Sequence, residues 1–313
     1  MTISIAFIGA GYMAVEHARA LLATGKVTIA GVTGGKSRKT DDFAAQFACP
    51  IFPDIAALYQ ETHAQAVVLA VPELACRQAC EQLFPYPWLA LLEKPVGHNL
   101  GEAEFLLSLS QSLGRNDYVA LNRRSYGATR AALAMLEETD GPRLIQIHDT
   151  QDLAGARAFG QPEAVVENYM FANSLHLVDY LAIFGRGDLV SIRSLHSYDP
   201  LKPHSVAAAL EFSSGDRGVY VAGWDLPGPW YVTIANSTLR CELRPLEQLG
   251  YQRQGERKLV MVEPDPDDLT YKPGLKFQAD QFLEAVAGRP TQLASLETAT
   301  QTMRMVAAIY GRH

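Results

Sequence analysis

"IAFIGAGYMA", residues 5 to 14, is an apolar run that halts at Gly9 and gives way, after Gly11, to a helical pattern. The run before Gly9 reads as a β-strand, and Tyr12–Ala23 reads as an amphipathic helix. Gly9, Gly11 and Ala14 stand in G-x-G-x-x-A spacing. The first glycine permits a tight turn, the second lets the backbone approach a pyrophosphate, and the small third residue lets helix and strand pack closely. The amides that open the helix, around Tyr12 and Met13, then face the phosphates with a favourable dipole. The spacing alone is a weak signal that a chance glycine turn can reproduce. Its place on the first strand of an alternating strand and helix pattern is what gives it weight.

Outward from this turn the alternation continues for about 120 residues. Strands are expected near Ile3–Ile8, Val27–Val32, Ala66–Val71, Trp88–Leu92 and Tyr118–Leu121, with a short one around Pro50–Phe52. Helices are expected near Tyr12–Ala23, Lys39–Phe47, Ile55–Glu61, Leu74–Leu83 and Gly101–Leu113. Right-handed crossovers of this kind build a doubly wound parallel sheet, the dinucleotide-binding architecture. After Asn122 the texture changes. A helix near Tyr126–Glu138 leads into the half-alternating strand "GPRLIQIHDTQD", and another helix follows near Asn173–Phe184. Residues 190–262 are mostly strand-like, with "VAAALEF" and "GVYVAGW" flanking the hairpin signal "SSGDR". Without helices between them these strands should pair largely antiparallel. Two helical stretches, near Lys276–Ala287 and Leu296–Tyr310, close the chain. The expected division is therefore 1–121 and 122–313.

Composition narrows the function classes. The chain has 313 residues, 48% apolar and 19% charged, which is a globular balance with room for two cores. The formal net charge of −7 and a single dense basic cluster, "KSRK" at 36–39, argue against nucleic acid as the partner. No stretch approaches the roughly 18 apolar residues of a membrane span, and the N-terminus lacks a basic leader segment, so a cytoplasmic protein with no membrane association is expected. The four cysteines are too few for a disulfide framework. Cys76 and Cys80, four apart, would need two more ligands to hold zinc and read better as buried thiols, so no metal is expected.

The second strand bears on cofactor choice. An NAD-selective site usually carries an acidic residue at the end of that strand to bind the ribose hydroxyls. Here "VTIAGV" runs into Thr33, Gly34, Gly35, Lys36, Ser37 and Arg38, with no carboxylate before Asp41. Hydroxyls and cations suit a 2′-phosphate, so NADP is preferred over NAD, with Thr33, Ser37 and Arg38 as contacts. An ordinary solvated basic turn is the competing reading.

In "WLALLEKPVG", residues 88–97, a buried strand ends in Glu93, Lys94 and Pro95. Ligands of open α/β sheets bind outside the carboxyl ends of the strands. A lysine there can hydrogen-bond a substrate oxygen and stabilise its negative charge during hydride transfer. A lysine merely capping a strand end would look the same. The proline restricts Lys94 to extended geometry and allows a cis bond.

Taken together, "GAGYMA", "AVVLAVP", "LLEKPVG", "VALNRR" and "HLVDYLAIFG" resemble, in order and approximate spacing, the glucose–fructose oxidoreductase / inositol dehydrogenase / rhizopine-catabolism (Gfo/Idh/MocA) family. The match is strongest over 1–130 and again at 173–185. The resemblance implies an α/β protein: an N-terminal Rossmann domain with a doubly wound parallel sheet, and a C-terminal α+β domain with an open, mostly antiparallel sheet. That second sheet often serves oligomerisation, so a homodimer or homotetramer is expected. It also implies a nicotinamide cofactor, with Val71, Pro72 and Glu93 beside it, and a catalytic Lys94.

The family typically carries D-x-G-x-H-x-x-D at a helix of the second domain. In "FANSLHLVDYLAIFG" His176 and Asp179 match, while Ala172 and Ser174 replace the first aspartate and the glycine. His176 titrates near neutrality and can pass a proton to or from the substrate oxygen. A core histidine bonded to a backbone carbonyl is the alternative. A carboxylate to orient or share the proton is missing unless Glu167 or Asn173 substitutes. Arg123, in "LNRRSY", together with Asn173, Asp179 and Tyr169, is expected on the substrate side, although Arg123 could equally pair the domains. Tyr126, Tyr169 and Trp224 could supply an aromatic wall for a sugar, though aromatics more often fill cores. The resulting expectation is an oxidoreductase acting on a secondary alcohol or ketone of a sugar, nucleotide sugar or cyclitol. A non-catalytic NAD(P)- and sugar-binding regulator of the same fold, and an imine or double-bond reductase, are the alternatives.

Overall fold

The structure, a computed structural model, describes residues 2–312. The chain forms two compact units. One comprises the chain up to Asn122 together with Leu269–Thr300. The other comprises Arg123–Asp268 together with the residues from Gln301 onward.

The first unit begins with strands β1 (Ile3–Ile8), β2 (Val27–Thr33), β3 (Ala66–Leu69), β4 (Leu89–Leu92) and β5 (Tyr118–Val119). Between them lie helices α1 (Tyr12–Leu22), α2 (Arg38–Phe47), α3 (Ile55–Thr62), α4 (Glu73–Leu83) and α5 (Leu100–Ser112). Most helix starts are written in short polar side chains. Ser37 accepts from Thr40 N, Asp54 from Ala57 N, and Asn99 from Glu102 N, each satisfying an orphan amide of the first turn. α1 and α4 are different: Gly11 precedes the one and Pro72 the other, and no side chain caps either. The parallel strands are buried on both faces, and their aliphatic and aromatic runs reflect that.

The second unit holds β6 (Leu144–Gln151), β7 (Leu189–His196), β8 (Ser205–Phe212), β9 (Arg217–Trp224), β10 (Tyr231–Ala235), β11 (Leu239–Leu243), β12 (Leu249–Arg253) and β13 (Val260–Met261). They form one eight-stranded sheet in the order β13-β12-β11-β10-β6-β9-β8-β7. Every neighbouring pair is antiparallel except β6 and β9. Its helices are α6 (Gly127–Glu137), α7 (Leu153–Ala158), α8 (Glu163–Val166) and α9 (Leu175–Phe184), the last entered through a π-helical turn at Met170–Ser174. α9 is buried almost all round, as its mostly apolar sequence, interrupted by His176 and Asp179, leads one to expect. At the other extreme, β7 on the sheet edge is exposed along nearly its whole length.

After the short helix α10 (Pro266–Thr270) come α11 (Leu275–Val286), strand β14 (Ala294–Ser295) and helix α12 (Leu296–Tyr310). β14 completes the first sheet, whose order is β14-β5-β4-β3-β1-β2, and it pairs antiparallel with β5. The sixth strand of that sheet is thus β14, not the expected strand at Pro50–Phe52. That segment makes only an isolated bridge between Val32 and Ile51, because Pro50 has no amide to extend a ladder. The sequence reading drew one boundary at 121/122, whereas the chain changes unit after Asn122, after Asp268 and after Thr300. The reason lies in α11: Leu275, Ala279, Phe282 and Leu283 make one apolar stripe, which joins Ile5, Ala14, Ala18 and Phe43 in the core of the first unit.

Candidate active site

In the first sheet β1 through β5 run parallel, so their carboxyl ends share one edge. The connection from β1 goes one way to β2, while β3, β4 and β5 lie on the other side. The gap between β1 and β3 is therefore the topological switch point where such sheets bind ligands. Gly9 sits there with φ +96°, and a Cβ on it would lie 2.1 Å from the carbonyl oxygen of Ala70. Only glycine fits. A Cβ on Gly11, in contrast, would meet nothing within 4 Å. The open space in front of Gly11, the uncapped amides of Tyr12 and Met13, and the absence of any acidic residue in the first turn of α1 suit a pyrophosphate. Ala14, fully buried, lets α1 press against the sheet. Val71 also borders the turn, 3.2 Å from the same virtual Cβ on Gly9, and Pro72 follows it at the start of α4.

At the end of β2, Thr33 is buried and its carbonyl accepts from Gly9 N at 2.7 Å. Gly34 to Lys39 are exposed. Ser37 caps α2, its Oγ 3.0 Å from the Thr40 hydroxyl, and Arg38 faces Asp42 at 3.7 Å in solvent. Such an exposed pair is weak enough to be broken by a better anion.

β4 delivers Glu93 and Lys94 to the same edge. Glu93 is buried, and both its oxygens are engaged: Oε1 lies 2.8 Å from Nε2 of the buried His17 on α1, and Oε2 accepts from Lys94 N at 3.0 Å. The carboxylate thus ties α1 to the backbone of Lys94. The Lys94–Pro95 peptide is cis and Lys94 is half-buried. A second clasp follows immediately, where His98 N and Nδ1 both meet Glu102 Oε2, at 3.1 and 2.8 Å, over the start of α5.

In the second unit the π-helical turn and α9 carry the other predicted residues. His176 is buried, as are Ala172 and Ser174, whereas Asn173 between them is partly exposed. Asp179 is buried and saturated. Arg124 donates to both of its oxygens, at 2.7 and 2.6 Å, and Thr302 donates to Oδ1 at 2.9 Å. This is the bidentate geometry that a planar guanidinium provides. Burial and the neighbouring carboxylate pull the Arg124 pKa in opposite directions, and Asp179 prevails to raise it. Arg123 lies over the indole ring of Trp230 at 4.6 Å, and its buried Nε and Nη1 have no hydrogen-bond partner among the described residues. Unsatisfied buried guanidinium donors are rare and suit a site that a ligand completes. Tyr169 is half-buried just before the turn, and Glu167 is exposed. Trp224 belongs to a core cluster, edge-on to Tyr310 with ring centroids 5.8 Å apart, so it supplies no exposed wall.

Sequence reasoning passed over His17 and a buried carboxylate, Asp149. β6 alternates, so Asp149 and Gln151 lie on the same inward face as Ile145 and Ile147. Tyr220 donates to Asp149 Oδ2 at 2.6 Å, Gln151 Nε2 donates to Oδ1, and Asn173 Nδ2 donates to Gln151 Oε1 at 2.8 Å. Tyr310 lies 2.8 Å from Tyr220 and 3.1 Å from Ser174. Burial pushes the Asp149 carboxyl up from its ordinary range, against the hydrogen bond from Tyr220. The signal that could have found it is an aspartate at an inward position of an alternating strand, since a buried carboxylate needs partners.

Residues 3–120 match the oxidoreductase family with an NAD-binding Rossmann fold, GFO_IDH_MocA. The match to these Gfo/Idh/MocA oxidoreductases is confined to that Rossmann segment. No curated protein matches the chain. Solved structures similar over nearly the whole length include UDP-N-acetylglucosamine 3-dehydrogenase from Acidithiobacillus ferrooxidans, with 18% identity, TM-score 0.79, and 100% of this chain and 98% of that one covered. A dehydrogenase from Chromobacterium violaceum aligns with 20% identity, TM-score 0.83 and coverage of 98% and 94%. Levoglucosan dehydrogenase, solved with NADH and levoglucosan, aligns with 14% identity, TM-score 0.82 and coverage of 100% and 97%. At such identities the likeness shows that the chain shares its fold with those proteins.

Proposed function

We propose that this protein is an NADP-preferring oxidoreductase acting on a secondary alcohol or its ketone in a sugar, nucleotide sugar or cyclitol. The observation that carries the reading lies within the first unit: a glycine turn open to a pyrophosphate and an anchored lysine share the carboxyl edge of one parallel sheet. Gly9, Gly11, Tyr12, Met13, Val71 and Pro72 hold the dinucleotide in this proposal. Thr33, Ser37 and Arg38 receive the adenosine end, and the lack of a carboxylate there favours a 2′-phosphate over free ribose hydroxyls. The bound nicotinamide supplies the hydride acceptor or donor.

The chain's own groups do the rest. Lys94 donates a hydrogen bond to the substrate oxygen and offsets negative charge on it. Glu93, held by His17, positions that lysine through its backbone. His176 takes up or releases the hydroxyl proton. Arg123, Asn173 and Tyr169 contact the substrate, and Asp179 acts from behind, through Arg124. The sugar class draws support from structural neighbours named for UDP-N-acetylglucosamine and levoglucosan. Self-association through the open sheet, where Val190 and Leu195 of β7 are exposed, completes the proposal, and light scattering of the purified protein tests it.

The test of catalysis is Lys94→Ala. Turnover of NADPH with a panel of keto sugars should fall by about a thousandfold or more, as for loss of a principal electrostatic group, with cofactor affinity within a few-fold. A wild-type protein that binds both ligands yet never oxidises or reduces would favour the second reading, a non-catalytic sensor. The observation behind that reading is Ala172, a buried methyl where the family typically has an aspartate.

A further inference from the structure

The buried Asp149 cluster has a direction. Both oxygens of Asp149 accept, Oδ2 from the Tyr220 hydroxyl and Oδ1 from Gln151, so the atom of Gln151 that faces it is the amide nitrogen. The Gln151 carbonyl oxygen is then the atom left for Asn173, which must answer with its own nitrogen. One carboxyl group, reached through Gln151, thereby settles which end of the Asn173 amide points out of the cluster. It is the carbonyl oxygen. A second arm of the cluster approaches the same turn: Tyr220 spends its proton on Asp149, so Tyr310 donates to Tyr220, and Ser174 meets Tyr310. Asn173 and Ser174 are adjacent in the π-helical turn that leads into His176, and such turns recur at functional sites. Among Met170–Ser174, Asn173 is the residue that is not fully buried.

We propose that Asp149 and Gln151 are positioning residues that fix Asn173 with its Oδ1 outward, so that the site takes a substrate hydroxyl as donor and rejects an acceptor-only group in its place. This deepens, and rests on, the sugar oxidoreductase reading. A carboxyl group that the family motif would place at residue 172 is here replaced by a neutral acceptor at 173, polarised from behind by a carboxylate on β6. The selection differs from that of a bare asparagine, which could turn over and donate instead.

Two measurements on the full chain test this. Neutron diffraction from deuterium-exchanged crystals should place deuterons on the Gln151 atom facing Asp149 and on the Asn173 atom facing Gln151, and the reverse orientation of either amide overturns the proposal. Calorimetry should then compare glucose with its 2-, 3-, 4- and 6-deoxyfluoro derivatives, since fluorine keeps the size of a hydroxyl but cannot donate. For the wild type, fluorine at one position should weaken binding about tenfold, which is the loss of one well-made hydrogen bond. Gln151→Met frees the Asn173 amide to turn, and the same substitution should then cost less than about threefold. Tyr220→Phe removes the other arm and should keep the tenfold discrimination, which separates amide orientation from general loosening. Equal fluorine sensitivity in wild type and Gln151→Met, or none at any position, overturns the proposal. Failure of glucose to bind at all would count against the sugar class, while the deuteron positions would still decide the relay.

Discussion

The glycine turn of the first unit and the Asp149 cluster of the second solve opposite problems with opposite means. The turn recognises a ligand by removing side chains: Gly9 and Gly11 expose amides, and almost nothing but backbone is presented. The cluster crowds side chains together until each polar atom's role is dictated by its neighbour. A site made of backbone depends on a few contiguous residues. A site made of interlocked side chains draws on β6, β9, the π-helical turn and α12, which are distant in sequence. The first kind tolerates change around it but not within it, whereas a change at any member of the second propagates to its neighbours.

Substitutions that break this contrast should differ in size. Gly9→Ala is expected to have the largest effect, because its Cβ would run into the Ala70 carbonyl and its φ is positive. Calorimetric unfolding should show a loss well above the roughly 1 kcal/mol of an ordinary glycine replacement, together with lost dinucleotide binding. Acid titration probes the side-chain-built unit. Asp216, buried and held by Arg186 and by the amides of Arg143 and Arg186, has its pKa lowered to about 2 although burial opposes this. A carboxyl with a depressed folded-state pKa stabilises the fold above its ordinary value of 3.8 and loses that contribution as pH falls towards 2. Stability followed by denaturant titration should therefore drop by on the order of 2 kcal/mol across that window, and Asp216→Asn should flatten it. Gly11→Ala sharpens the comparison, since its Cβ meets open space. The melting temperature should stay put while NADPH affinity falls by about tenfold, roughly 1.4 kcal/mol. Arg38→Ala is expected to have the smallest effect: exposed and loosely paired, it should lower the NADPH to NADH affinity ratio by about three- to tenfold with stability unchanged.

The same contrast explains what the sequence made legible. The turn, the strand and helix order of residues 3–120, and the placement of Glu93 and Lys94 at a strand end all follow from local patterns of fixed spacing. The polarity of Asn173 does not: alternation with Ile145 and Ile147 marks Asp149 and Gln151 as inward, but it does not say that Asn173, on a separate element, ends their relay. The return of α11 to the first unit was equally hidden. Its stripe of Leu275, Ala279, Phe282 and Leu283 announces a buried face without saying which core it joins. Pro50 shows the limit from the other side, since a β-rich triplet lost its strand to one missing amide. Asp179 matched the family pattern by spacing, yet its saturation by Arg124 and Thr302 depended on residues 55 and 123 positions away.

Two of the buried carboxylates of the second unit, Asp179 and Asp149, depend on α12. Thr302 completes the set of donors around Asp179, and Tyr310 completes the chain of hydroxyls that ends on Asp149. During synthesis on a ribosome, the strands and α9 emerge long before either donor. Until that helix follows, Asp179 and Asp149 lack the donors Thr302 and Tyr310, whereas every residue of the glycine bend lies in one short stretch of chain.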